Sequence, residues 1–179
     1  MIERGTMRAV LAVSTLMAVS ALAGPTALEY GDGKADGKKS LGGDGEMIKF
    51  TLPTGPGSMK KVAGIRIHGS RYGHPKPPEE SFYIFIMDEE LGMVHMETAP
   101  YSLFERGDQK WVRVRFKDSV NVPAAFWVVL DFKAHRTKGV YVSYDTSTGG
   151  ENSRAGLPGK EPRDVDFGGD WMIRVDLSR

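Results

Sequence analysis

The chain contains no cysteine. That absence excludes disulfides, thiolate metal sites, a cysteine nucleophile and a lipid-modified N-terminal cysteine. Histidine is scarce, and His68, His74, His95 and His135 lie in four separate segments with no His-x-His or His-x-x-x-His pair, so no local zinc signature is present. No Gly-x-Ser-x-Gly elbow occurs, and His68-Gly69-Ser70 lacks the strand-to-helix turn that would expose a serine nucleophile. Charge of one sign is missing too. The formal net charge is +1, and residues 1–23 carry Arg4, Arg8 and Glu3, so the remainder is neutral. Neutrality argues against a nucleic-acid partner, which needs a concentrated cationic excess.

Long hydrophobic runs are confined to one place. Ala9 to Ala23 is uncharged, follows Arg4 and Arg8, and ends in Ala21-Leu22-Ala23, a small-x-small cleavage pattern. Residues 1–23 read as a secretory signal peptide, too short for a transmembrane helix of about 20 apolar residues. The expectation is a secreted or periplasmic protein with no membrane span after cleavage. Helical periodicity is also absent: beyond residue 23, no segment keeps apolar residues at i, i+3, i+4 and i+7 over more than two turns.

What is present has a period of two. Met47–Leu52, Val62–His68, Ser81–Met87, Met93–Glu97, Lys110–Phe116, Ala125–Phe132, Gly139–Tyr144 and Trp171–Leu177 read as eight strands. Lys110–Phe116 has the cleanest alternation, with Val112, Val114 and Phe116 on one face and Trp111, Arg113 and Arg115 on the other. Ser81–Met87 is apolar on both faces, the mark of a strand covered on each side. Ala125–Phe132 and Gly139–Tyr144 read as a central hairpin joined by the basic turn Lys133–Lys138. Eight short strands separated by turn residues predict an all-β, jelly-roll-like antiparallel β-sandwich over residues 47–179, preceded by a Gly/Asp-rich arm at 24–46.

The arm, with GDGKADGKKS at 31–40, has five residues between Gly31 and Gly37 where a phosphate loop needs four, and it leads into a strand. Asp32, Asp36 and Asp44 are candidate ligands for a structural calcium ion, since hard oxygen donors on Gly-rich backbone suit that ion; the alternative is a solvated, turn-rich arm. Asp88, Glu89, Glu90, Asp131 and Asp145 could supply the two carboxylates of a polysaccharide hydrolase or lyase, although acids at strand ends are ordinary solvated positions. No catalytic residue is assigned. Binding is the leading expectation. Exposed aromatics with Arg, Asp and Asn nearby are the chemistry of sugar recognition, and Tyr72, Tyr101, Trp111, Tyr141 and Tyr144 are the candidate aromatics.

YGDGKADGKKSLGGDGE at 30–46, IRIHGSRYG at 65–73, TKGVYVSYD at 137–145, AGLPG at 155–159 and GDWMIR at 169–174 together resemble a planctomycete-type β-sandwich domain of secreted or envelope bacterial proteins, one with no assigned activity. The resemblance implies an accessory or interaction domain and brings no catalytic residue. The loop-rich segments it covers single out Arg71, Tyr72, Tyr144, Asp145 and Arg154 as candidate ligand-binding residues, with internal bracing of the loops as the competing role. The partner expected is a glycan or an envelope protein. The alternative is a structural interaction domain pairing through the sheet face around Arg113 and Arg115.

Overall fold

A computed structural model of the protein describes residues 27–54 and 61–178; the expected signal peptide lies outside the described residues. The strands are β1 (Ala27–Leu28), β2 (Gly37–Lys39), β3 (Glu46–Thr51), β4 (Lys61–Gly73), β5 (Ser81–Met87), β6 (Met93–Pro100), β7 (Lys110–Asn121), β8 (Ala125–Asp131), β9 (Lys138–Asp145), β10 (Ser153–Ala155), β11 (Arg163–Asp164), β12 (Asp170–Trp171) and β13 (Ile173–Ser178). Two short 3-10 turns, Tyr101–Leu103 and Thr146–Thr148, are the only helical elements among the described residues. Each of the eight long strands overlaps one that alternation predicts, but the expected strand Trp171–Leu177 is divided at Met172 into β12, on β9, and β13, on β4. The five others are two or three residues long, below the length at which a period can be read.

These strands form two antiparallel sheets of a jelly-roll-like sandwich. The seven-stranded sheet runs β1-β13-β4-β9-β12, with β7 on the other edge of β4 and β2 on β9. The six-stranded sheet runs β11-β10-β3-β8-β5-β6. Between them, Ile48, Phe50, Ile84, Phe126, Val128 and Leu130 from one sheet meet Ile65, Ile67, Val114, Val142, Ile173 and Val175 from the other in a single core. The both-sided apolarity of β5 also has its cause. Its second face joins Met47 and Val129 in a smaller cluster covered by Leu91 and Leu157, which come from loops.

Two expectations are corrected. The segment Ala125–Tyr144 is not a hairpin: β8 lies in the six-stranded sheet and β9 in the seven-stranded one. Both edges of β8 are occupied, by β3 and by β5, so no place remains for β9 beside it. The chain instead buries Phe132 and Ala134 and crosses the core. The arm is not a separate solvated segment either. It supplies β1 to β13 and β2 to β9, and it stacks Tyr30 on Phe50 at 5.3 Å between centroids.

Candidate binding face

All five residues singled out from the loops make contacts that brace the fold. Arg71 is buried and donates from its guanidinium to the carbonyls of His74 and Pro75, holding the Pro-rich loop after β4. Tyr144 stacks on Phe167 at 4.1 Å and packs against the core. Asp145 is 1% exposed, and its carboxylate accepts from Gly33 N, Ser147 N and Ser147 Oγ, so it clasps the arm to the end of β9. Burial pushes the Asp145 carboxyl up, but the hydrogen bonds from Ser147 and Gly33 outweigh it and leave it below the usual carboxylate range. Arg154 donates to the carbonyls of Glu151 and Ser153 and pairs with Asp164. Tyr72 is half-buried: its hydroxyl donates to the His135 carbonyl, and its ring meets Tyr141 at 4.6 Å.

The three candidate calcium ligands go separate ways. Asp36 accepts from the amide and hydroxyl of Thr146, Asp44 from Gly45 N and from Arg163, and Asp32 from Lys34 N. Among the described residues, no group of three or more His, Asp or Glu side chains converges as a metal site would require. The hydrogen bonds from Thr146 hold the Asp36 carboxyl below its ordinary range. The acids considered for hydrolysis are likewise engaged locally: Asp88 accepts from Gly92 N, Asp131 from Lys133 N, and Glu89 pairs with Lys49.

The most chemically dense surface is the outer face of the seven-stranded sheet. Alternation turns Ile65 and Ile67 inward and therefore Arg66 and His68 outward; the same parity in β7 turns out Trp111, Arg113 and Arg115, and in β13 Arg174 and Asp176. Strand register then arranges these residues in rows across β7, β4 and β13. Trp111 lies opposite His68. In the next row Arg113 faces Arg66, and Arg66 faces Arg174. In the row after that, Arg115 and Asp176 sit on either side of Gly64.

Asp176 is 5% exposed, and its Oδ1 accepts from Arg66 Nε at 2.8 Å. Its Oδ2 forms an ion pair with Arg113 at 2.7 Å, close without being aligned as a hydrogen bond. Arg174 pairs with Glu29 and lies over the Trp111 ring, its guanidinium 4.0 Å from the centroid. His68 is tilted against Trp111 at 5.0 Å, and its Nδ1 is 2.9 Å from Ser143 Oγ. Burial, and then the charge of Arg174, lowers the His68 pKa, so the ring is neutral at pH 7.

The face continues along β4 to Ser70 and Tyr72, beside Tyr141 of β9 and Lys38 of β2, whose ammonium lies 5.3 Å from the Tyr141 ring. At its other border, the free edge of β7, runs a shallow trench. A depression of about 280 Å³ beside Trp111 is lined by Leu103, Glu105, Asp108, Lys110 and Arg113, and past Leu103 and Arg113 it meets one of about 500 Å³ lined by Thr98, Pro100 and Arg115.

Reading the strands singly places Trp111, Arg113, Arg115 and Tyr141 outside the core. It does not find Arg66 and Arg174 as their neighbours. The signal lies in the matching parity of IRIH, WVRVR and MIRVD, which shows that each strand turns its arginines outward but not that the three strands are adjacent. No protein-family model matches this chain, and no curated protein matches it.

Proposed function

We propose that this protein is a secreted, non-catalytic binding module that takes a carbohydrate of the cell envelope or its surroundings on the outer face of the seven-stranded sheet. The observation that carries the reading is the partly exposed strip of Trp111, His68, Tyr141 and Tyr72, interleaved with arginine and lysine side chains on one rigid sheet. Aromatic faces take the apolar faces of sugar rings, and guanidinium and hydroxyl groups take their polar rims. The side chains are pre-ordered by strand register and by their contacts with one another, so little rotamer freedom is lost on binding. The full chain is to be incubated with a panel of insoluble and soluble polysaccharides. Retention of at least one of them, lost in Trp111→Ala and kept in Tyr144→Phe, is the expected result. No retention of any polysaccharide would sink the reading.

A second reading rests on a different observation. The edge strand β6 exposes Met93 and Met96, at 57% and 50%, beside Val94. An exposed apolar edge suits a protein partner, which makes a structural interaction domain the alternative. Light scattering on wild type and Met96→Lys tests it: a concentration-dependent dimer dispersed by the lysine would favour this reading over the first.

A further inference from the structure

Three adjacent strands place arginines directly opposite one another, Arg113 to Arg66 to Arg174. Like charges across a ladder oppose pairing. The fold counters them with two carboxylates: Asp176, shared by Arg66 and Arg113, and Glu29, paired with Arg174. Arg115, in the adjoining row, is exposed and makes no ion pair among the described residues. On the outer faces of β7, β4 and β13 four guanidinium groups therefore stand against the carboxylates of Asp176 and Glu29, while Glu105, paired with Lys110, and Asp108 border the depression beside Trp111.

Placement matters as much as the excess. The Asp176 side chain is 7% exposed and holds Arg66 and Arg113 from the sheet side, while Arg113 remains 51% exposed. A guanidinium has five N–H donors, so Arg113 keeps donors directed at solvent after satisfying Asp176. Next to it on the same strand face is Trp111, whose ring is covered on one side by the Arg174 guanidinium and lines the depression at the free edge of β7. An aromatic platform with fixed, outward-facing guanidinium donors one row away matches a sugar ring that carries an anionic group.

We infer that the Trp111–Arg113–Arg115 patch is selective for acidic polysaccharide, with the ring of an anionic sugar on Trp111 and its carboxylate or sulfate received by Arg113 and Arg115. This deepens the carbohydrate reading and rests on it. A second copy of the chain is a poor occupant, because the patch would meet its own positive charge. Single-stranded nucleic acid shares the stacking and phosphate chemistry but is disfavoured by the neutrality of the chain as a whole.

Binding of the full chain is to be measured by calorimetry with an oligogalacturonate, a sulfated galactan oligomer, a neutral galactan oligomer of matched length and oligo(dT), at low and high sodium chloride. Either acidic sugar should bind about tenfold or more tighter than the neutral one, with the preference shrinking at high salt. Whichever binds tighter identifies carboxylate or sulfate as the anionic group. Arg115→Gln removes no ion pair among the described residues and should lower affinity for the acidic oligomer about tenfold without shifting the melting temperature. Arg113→Gln should lower that affinity by a similar factor, and because it also removes the ion pair with Asp176 its melt is recorded alongside. Equal binding of acidic and neutral sugars, an unchanged affinity in both variants, or a preference for oligo(dT) overturns this inference. If equal binding is found, the carbohydrate reading still stands; if no sugar binds at all, both fall.

Discussion

Glu46 shows how a single buried group can set the behaviour of the sandwich in solution. It opens β3 on the same side as Ile48 and Phe50 and is 1% exposed. Its Oε1 accepts from Leu41 N, while Oε2 has no partner among the described residues. Burial pushes its carboxyl up to about 8, against the lowering effect of the Leu41 hydrogen bond and with a further push from Asp131 and Asp44. The folded protein thus holds a proton there that the unfolded chain releases near the ordinary glutamate value. The resulting stabilisation is complete below that value and is lost as pH rises through about 8. Glu46→Gln, which keeps an acceptor for Leu41, should abolish this loss. Thermal melts from about pH 5 to about pH 9 should show wild type falling relative to the variant by a few kcal/mol. Parallel curves would refute the buried proton. Asp145 is the opposite case at the same scale: its hydrogen-bond donors keep it ionised, and its support for the arm weakens as the medium becomes acid. Its role was not readable in advance, because Asp, Tyr, Ser and Gly at a strand end serve a binding rim and a loop clasp equally well.

At the scale of the element, β4 organises the seven-stranded sheet. Its first part pairs with β7 on one side and β13 on the other, and from Gly69 onward it pairs with β9. A β-bulge near Gly64 brings β7 so close that a Cβ there would overlap the Val114 carbonyl oxygen. Gly64→Ala should therefore cost roughly 2 kcal/mol or more by forcing the two backbones apart, measured by urea denaturation, and it should also disturb the arginine rows. Substitution at no cost would mean that the strands are free to separate. The open side of the sandwich, where β6 and β7 are both edge strands, is managed by an inward-pointing acid: Glu97 Oε2 accepts from the free amide of Lys117, and its Oε1 from Thr98 N. The apolar residues on β6 are left to solvent. Peroxide followed by peptide mass analysis should oxidise Met93 and Met96 well before Met47, Met87 and Met172, which are 2%, 3% and 4% exposed. Equal rates would show that β6 is covered in solution. Strand identity was legible at this scale because a half-buried strand writes its two faces into alternate residues. The two-residue and three-residue strands were not, since their pairing depends on long-range neighbours.

For the whole molecule, the arm is part of the fold. Leu28, Tyr30 and Leu41 pack on the core, Gly31 and Gly33 wrap Asp145, and Asp36 receives Thr146. Gly31 has a φ of +88° and lies so close to the Asp145 carboxylate that a side chain has no room there. A chain beginning at Asp44 should lose β1 and β2, expose Phe50 and Trp171, melt at least about 10 °C lower and bind a hydrophobic dye. An unchanged melting temperature would show that the sandwich stands without the arm. The amino-acid sequence by itself determines the eight long strands, the inward face of each and the all-β class, because side-chain alternation and turn residues are local properties of the backbone. It also turns Trp111, Arg113, Arg115 and Tyr141 away from the core, but it places Tyr101 outside as well, and that ring is fully buried. Tertiary structure alone decided that β8 and β9 lie in opposite sheets, that a polar arm is stitched into the fold, and that Arg113, Arg66 and Arg174 share a row. Those facts depend on which edges are already occupied and on register between residues up to about a hundred positions apart, and no local pattern carries that information.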